Sequence, residues 1–571
     1  MGKQLLVLGC SQTKRQTPGF LPAIDRYDGS SYRVLRNYLH EWQWPKNLSI
    51  AILSSKYGLI GGFTSIEHYD ERMSPIKALG WASKCQNILK EWSDNHSKIY
   101  FSLGKDYLPA VEPAIKSGLL SKTKIFEGPI GMKLHQIKEL LQETESSKRI
   151  RLNFPEPGSG QVSYFLPDWD DLLDDGFDFE SDNFSGFSRK QRNDKHCSIL
   201  MQPKEMCDGI LVSLAQHLKS PGPLKRIIGT DSISLAPKNL REQFGFIESN
   251  KPIFGDCGAF SYVNEEKPAI SVEQALALYD LHGFDFGASV DHIPVTAVER
   301  NGIKIQLNKA ERLNRVNITK NNAESFIQLA KQRKVPFIPV GTIQALNPIE
   351  YGKTARFYHS IGYRHLAIGG LVPLTDAVVG EIVKSVMSVV SSLKPRPWVH
   401  LFGIFRPKLQ TLFRQLKVDS FDSASYFRKA WLRSDQNYLA SNGKWYAAIR
   451  VHMTRDGRTR KRLEQAGLNI EKLEGQESKV MELLCKFDRD EVNIHEVLDA
   501  VIEYDEFITR SSEVRSMRQK YERTLLDRPW KSCDCPFCQK AGIHMLIFRG
   551  ANRNKRRGAH NTLMLYESLD A

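Results

Sequence analysis

The sequence predicts an α/β protein built on a (β/α)8 TIM barrel, preceded by a small N-terminal α/β domain and followed by a cysteine-bearing C-terminal module. Three observations predict it. Short apolar runs alternate with helix-sized segments along most of the chain. Eight of those runs lie between about residue 196 and residue 430, close to the roughly 250 residues typical of a barrel. Three cysteines, Cys533, Cys535 and Cys538, fall within six residues near the C-terminus.

At 571 residues the chain exceeds one ordinary domain, and length alone suggests roughly three to four units. With 41% hydrophobic and 25% charged residues, the composition is that of a globular protein and excludes a disordered one. No apolar run reaches about 18 residues, so no membrane span is expected. Met1–Cys10 reads as a first β-strand rather than a signal peptide, and a cytoplasmic protein is expected. The net charge of +15 favours a polyanionic partner, most simply nucleic acid. Cys10, Cys85, Cys197, Cys207, Cys257 and Cys485 are scattered singly, as in a reducing compartment.

Residues 1–145 place strands at Gln4–Leu8, Leu48–Leu53 and Lys98–Leu103, with helical patterns at Tyr32–Trp42 and Ile76–Trp92. In such domains ligands sit beyond the carboxyl ends of the strands. Cys10, Ser11, Lys14, Ser54, Lys56, Tyr57, Tyr69 and Asp70 fall in those loops and could form a phosphate- or base-binding pocket. Equally, Gly9 and Gly58 could be turn glycines with ordinary polar neighbours. Residues 146–195 read as a charged linker, with an acidic stretch over Asp168–Asp182 and a basic one over Ser188–Lys195.

The barrel is expected over residues 196–432. Its strands are expected at Ser198–Met201, Arg226–Gly229, Pro252–Gly255, Phe284–Val290, Val335–Val340, His365–Gly369, Trp398–Gly403 and Val418–Phe421. Barrel enzymes place their chemistry where strands end. Those ends carry Asp256, Asp291, Gln344, the pair Gly369-Gly370, and Asp422. Taken alone, Asp256 could equally be a helix N-cap.

Residues 433–571 hold a basic, aromatic insertion and then the cysteine cluster. Cys-x-Cys-x-x-Cys followed by a histidine makes a Cys₃His set, which is the structural type of zinc site. His560, 22 residues after Cys538, and His544, only six after it, are both available as the fourth ligand. The basic run Arg549–Arg557 could contact phosphates or could be a solvated loop.

Asp256-Cys257-Gly258-Ala259-Phe260-Ser261, Gly341-Thr342-Ile343-Gln344-Ala345, Ala367-Ile368-Gly369-Gly370-Leu371 and Phe421-Asp422-Ser423 occur in this order. In order and rough spacing they resemble the motifs of the tRNA-guanine transglycosylase superfamily, which swaps a guanine base for a 7-deazaguanine. Gly-Ala-Phe in place of Gly-Gly-Phe, Ser423 after Asp422, and the long gap from Asp422 to Cys533 look most like its DNA-directed branch.

The resemblance implies Asp422 as nucleophile and Asp256 as general acid/base. It implies Asp291, Gln344, Gly369, Gly370, Gly258 and Phe260 as residues around the base. It implies a structural zinc ion on Cys533, Cys535, Cys538 and His560, the last because the family's histidine also precedes Asn. The implied partners are DNA and a 7-deazaguanine such as 7-cyano-7-deazaguanine, in gene clusters that mask DNA from restriction. A helicase-like protein or a second copy of the chain are further possible partners. tRNA is the alternative substrate. A non-catalytic zinc-bearing nucleic-acid-binding subunit is a second alternative, and acids at both catalytic positions argue against it.

Overall fold

The computed structural model describes residues 2–569 apart from 18, 43, 119–122, 145–151, 153, 169–170, 188–191, 193, 216–234, 236–239, 247–248, 433–434 and 509–512. The N-terminal domain is a five-stranded sheet. Its strands are β1 (Gln4–Gly9), β2 (Leu48–Ser54), β3 (Gly58–Gly61), β4 (Lys98–Ser102) and β5 (Thr123–Ile125), in the order β3-β2-β1-β4-β5. β2, β1, β4 and β5 are mutually parallel, and only β3 runs against them. Leu6 and Leu8 bury on one face of β1 while Leu5 and Val7 bury on the other. A sheet covered on both faces explains why its strands read as unbroken apolar runs. The covering helices are α1 (Ser30–Glu41), α2 (Pro75–Ser93) and α3 (Ile130–Gln142); Ser74 caps α2 by accepting from Lys77 N–H.

Eight parallel strands close the barrel: β6 (Ser163–Pro167), β7 (Gly209–Ser213), β8 (Ile253–Asp256), β9 (Phe286–Ala288), β10 (Ile338–Ile343), β11 (His365–Ile368), β12 (Trp398–Leu401) and β13 (Ser420–Asp422). β13 returns to pair with β6, and β6 with β7. The last six are the strands expected from the sequence, with ends shifted by up to a few residues. The first two are not. Ser198–Met201 falls on a short helix, Cys197–Leu200, and Arg226–Gly229 lies outside the described residues. The barrel therefore begins inside the stretch read as a linker. Ser163–Pro167 is buried throughout, but its single short run was masked by the turn residues before it and the acids after it.

Aromatic rings fill the barrel interior. Phe165, Phe254, Phe286 and Trp398 pack together, with Phe286 and Trp398 stacked at 5.5 Å and Phe154 closing over them. Helices α4 (Val272–Leu281), α5 (Lys309–Arg333), α6 (Pro348–Ile361) and α7 (Asp376–Ser392) line the outside. Gly255 and Gly287 sit side by side on β8 and β9, and Tyr279 of α4 packs over both. A Cβ there would lie 2.1 Å and 2.5 Å from that ring, so the pair lets a tyrosine close the barrel wall.

The C-terminal region packs helices α8 (Ile470–Asp488), α9 (Ile494–Ile508) and α10 (Glu513–Asp527) beside the cysteine cluster and ends in α11 (Gly550–Glu567). The acidic stretch is part of this assembly rather than a mobile tether. Asp182 is buried and paired with Arg549 at 2.6 Å and with Arg553. Asp174 accepts from Ser185, and Asp175 pairs with Lys540 at 2.7 Å. The reading of Arg549–Arg557 as a phosphate-contacting or solvated run is corrected accordingly. Arg549, Arg553, Arg556 and Arg557 are all buried. Arg557 donates to the carbonyls of Ala430, Met545 and Ile547. A buried guanidinium needs such acceptors, and these arginines hold the module to the barrel.

Candidate active site and metal centre

Asp256 ends β8, and the chain then turns through Gly258 in the left-handed region (φ 79°), where a side chain would also meet Ser213 Oγ at 2.2 Å. Asp256 is buried. Burial first, then the negative charge of Asp291 and, less, of Asp422, push its pKa up to about 7 against the backbone N–H groups of Gly258 and Cys257. A carboxyl poised near neutrality can both give and take a proton.

Asp291 follows β9. One oxygen accepts from the Cys257 thiol at 2.9 Å and the other from Gln344 Nε2 at 2.7 Å, while burial raises its pKa. Gln344 Oε1 is buried and has no hydrogen-bond partner among the described residues. That acceptor is left open to a donor from outside the chain. The diglycine after β11 frames this amide. A Cβ on Gly369 would stand 2.3 Å from Gln344 Nε2, and one on Gly370, at φ 73°, would stand 2.6 Å from Oε1. Both glycines are thus needed to seat the carboxamide, a reason the motif alone does not give. Tyr351 donates to the Gly369 carbonyl at 3.0 Å and fixes the loop. Phe260, on the turn after Gly258, is 52% exposed.

Asp422 ends β13. Its Oδ1 accepts from Gly403 N–H at 2.8 Å and lies 3.1 Å from His400 Nε2, while no hydrogen bond of a described residue engages Oδ2. His400 Nδ1 lies 2.7 Å from Ser420 Oγ. Burial lowers the His400 pKa, with Asp422 pulling the other way. A neutral ring that accepts from Ser420 must carry its proton on Nε2 and donate it to Asp422. His400 was missed in the sequence. Its signal is a polar residue between Trp398 and Phe402, at an inward-facing position of a strand whose neighbours on that face are aromatic.

The cysteine cluster is buried. Sγ of Cys533, Cys535 and Cys538 lie 3.7, 3.4 and 3.6 Å from His560 Nδ1. Ligands on a tetrahedral zinc ion stand about 3.5 Å apart for sulfur and nitrogen, so the set fits that ion. His560 Nε2 lies 2.7 Å from the Leu439 carbonyl, which takes the ring N–H and leaves Nδ1 as the ligand atom. His544 is excluded as the fourth ligand, because its Nε2 faces Cys485 at 3.7 Å and its Nδ1 faces Arg553. The centre also braces the active site. Asn561 binds Leu439 N–H and the carbonyls of Asn437 and Tyr426, four residues past Asp422.

A DNA-guanine transglycosylase of Salmonella montevideo is 32% identical over 412 residues, 72% of this chain and 97% of that protein. The chain belongs to the guanine transglycosylase family. Archaeal tRNA-guanine(15) transglycosylases match more distantly. That of Methanococcus aeolicus is 22% identical over 44% of this chain and 35% of its own, and that of Methanosarcina mazei 28% over 37% and 39%. Residues 5–139 match a separate model, described as a family of unknown function (DUF6884). Membership of the transglycosylase family makes the protein a glycosyltransferase. Among the described residues, no helix is long and apolar enough to cross a membrane.

Proposed function

We propose that this transglycosylase exchanges guanine in DNA for a 7-deazaguanine base by double displacement at the barrel mouth. The observation that carries the reading is the placing of three acids at the carboxyl ends of one barrel's strands, Asp256 and Asp291 after the neighbouring β8 and β9 and Asp422 on β13, near enough for both charges to act on Asp256. It is joined to the likeness with a DNA-guanine transglycosylase over nearly all of that relative.

Asp422 Oδ2 attacks the sugar C1′ and the bond to guanine breaks, leaving a glycosyl ester on Asp422. Asp256, its pKa raised to about 7, gives its proton to the departing base. The incoming deazaguanine returns a proton to Asp256 as its nitrogen displaces Asp422 from C1′. Gln344 and Asp291 read the purine edge, and Gln344 Oε1 accepts from a base N–H. Gly369 and Gly370 contribute by seating the Gln344 carboxamide against the base. Gly258 contributes by letting the turn after Asp256 close on Ser213, and Phe260 offers its exposed face to a base. Zinc on Cys533, Cys535, Cys538 and His560 supplies structure only, since its four positions are filled by protein.

A duplex hides C1′, so the nucleotide must be flipped out at a cost of a few kcal/mol or met in a single strand. The test incubates purified protein with labelled 7-cyano-7-deazaguanine and, separately, DNA and tRNA. Label in DNA is expected. Label only in tRNA would replace DNA by the alternative substrate, and label in neither, with DNA still bound, would favour the non-catalytic binder.

A further inference from the structure

The N-terminal domain carries a cluster that base exchange at the barrel mouth leaves unused. Its parallel strands stand in the order β2-β1-β4-β5. The chain leaves β1 toward one side and later crosses to the other, so the switch lies between the carboxyl ends of β1 and β4. In open α/β sheets that crevice is where ligands bind.

The loops leaving β1 and β4 meet there. Tyr107 donates its hydroxyl to the Cys10 carbonyl at 2.7 Å and sits 3.1 Å from Cys10 Sγ. Behind them runs a buried chain of hydroxyls, Tyr27 to Tyr69 at 2.7 Å and Tyr69 to Ser54 at 2.8 Å. Ser55 donates to the Glu71 carbonyl at 2.9 Å and fixes the segment carrying Tyr69.

Two ammonium groups lie near the Tyr69 ring, Lys14 Nζ at 4.5 Å from its centroid and Lys56 Nζ at 5.8 Å. Lys56 also lies 5.3 Å from the half-exposed ring of Tyr57. Asp70 and Glu71 are near enough to act on Lys14, but Glu71 is held by Lys77 at 2.5 Å. Among the described residues neither Lys14 nor Lys56 makes an ion pair. Two ammonium groups without such a pair, beside a buried hydroxyl network, leave positive charge at the crevice that an anion would neutralise.

We propose that this cleft is a second ligand site, which binds the phosphate of a nucleotide, free or within a DNA strand. Lys14 and Lys56 clamp the phosphate, and Tyr57 offers a ring to the attached base. The site stands on its own residues and does not depend on the chemistry assigned to the barrel.

The test uses the full-length protein, the Lys14→Ala/Lys56→Ala double variant and the Lys14→Arg/Lys56→Arg double variant. Affinity is measured for inorganic phosphate, for dGMP and for a short single-stranded oligonucleotide, with the thermal unfolding midpoint as the folding control. Losing two charge-assisted contacts should weaken binding by about tenfold or more, and the arginine pair should restore it. A loss confined to dGMP identifies a free nucleotide as ligand, and a loss confined to the oligonucleotide identifies a strand phosphate. Equal affinity of wild type and the alanine variant for all three probes would overturn the proposal.

Discussion

Replacing His400 by Phe isolates what this residue does for Asp422. The ring is enclosed by Phe165, Phe254, Trp398 and Phe402, so a phenyl group fits the same space and the packing survives. What is lost is the hydrogen bond to Asp422 Oδ1, while the Gly403 N–H bond to the same oxygen stays. A hydrogen bond to a charged group contributes about 1.5–3 kcal/mol. If it holds the carboxylate in line for C1′, single-turnover exchange should fall roughly 10- to 150-fold. Affinity for DNA and for the free base should stay within about twofold, because His400 meets neither. Labelled guanine incorporation, followed under single-turnover conditions beside equilibrium binding, separates the two effects. An exchange rate within twofold of wild type would refute the assignment of His400 as the positioning residue.

Other outcomes follow from the same geometry. Asp256 has its pKa raised to about 7 from an ordinary value near 3.8, so the folded state binds the proton more tightly than the unfolded one. Its contribution is favourable at low pH and is lost as pH rises through that window. Asp256→Asn should therefore gain stability relative to wild type by about 2–3 kcal/mol between pH 5 and pH 8, read by denaturant titration at both values; a constant difference would contradict the raised pKa. Gly369→Ala should displace the Gln344 carboxamide and raise KM for the base more than it lowers kcat, which steady-state exchange kinetics resolve. Asp182→Asn removes a partner of two buried arginines and should cost about 3 kcal/mol or more, visible as a drop in Tm. Metal analysis should find one zinc per chain, and Cys535→Ser should lose it together with protease resistance of the C-terminal region.

The strand ends were the most legible part of the chain. Asp256, Asp291, Gln344, Gly369 and Asp422 each follow an apolar run, and a strand that ends in a polar residue has few other places to put it. β6 was illegible because its five residues lie between a turn-rich break and an acidic stretch, and parallel pairing with β13 is a contact of very long sequence range. The same distance hid the meaning of the charges. Asp182 and Arg553 look like linker and basic loop until folding brings them together, 371 residues apart, in a buried pair. The Cys₃His set was legible from spacing, whereas spacing left His544 and His560 both open; the resemblance favoured His560, and its ring is the one that faces the sulfurs. His400 was hidden by type, since a histidine between aromatic residues reads as core until its partner is known.

The central claim is that base exchange runs through a covalent bond to Asp422. Protein incubated with DNA and a slowly released base analogue can be denatured, digested with protease and nuclease, and mapped by mass spectrometry. A deoxyribose-linked peptide modified at Asp422 is the predicted result, absent from Asp422→Ala. An adduct on Asp256 or any other residue, or exchange that persists in Asp422→Ala, would contradict it.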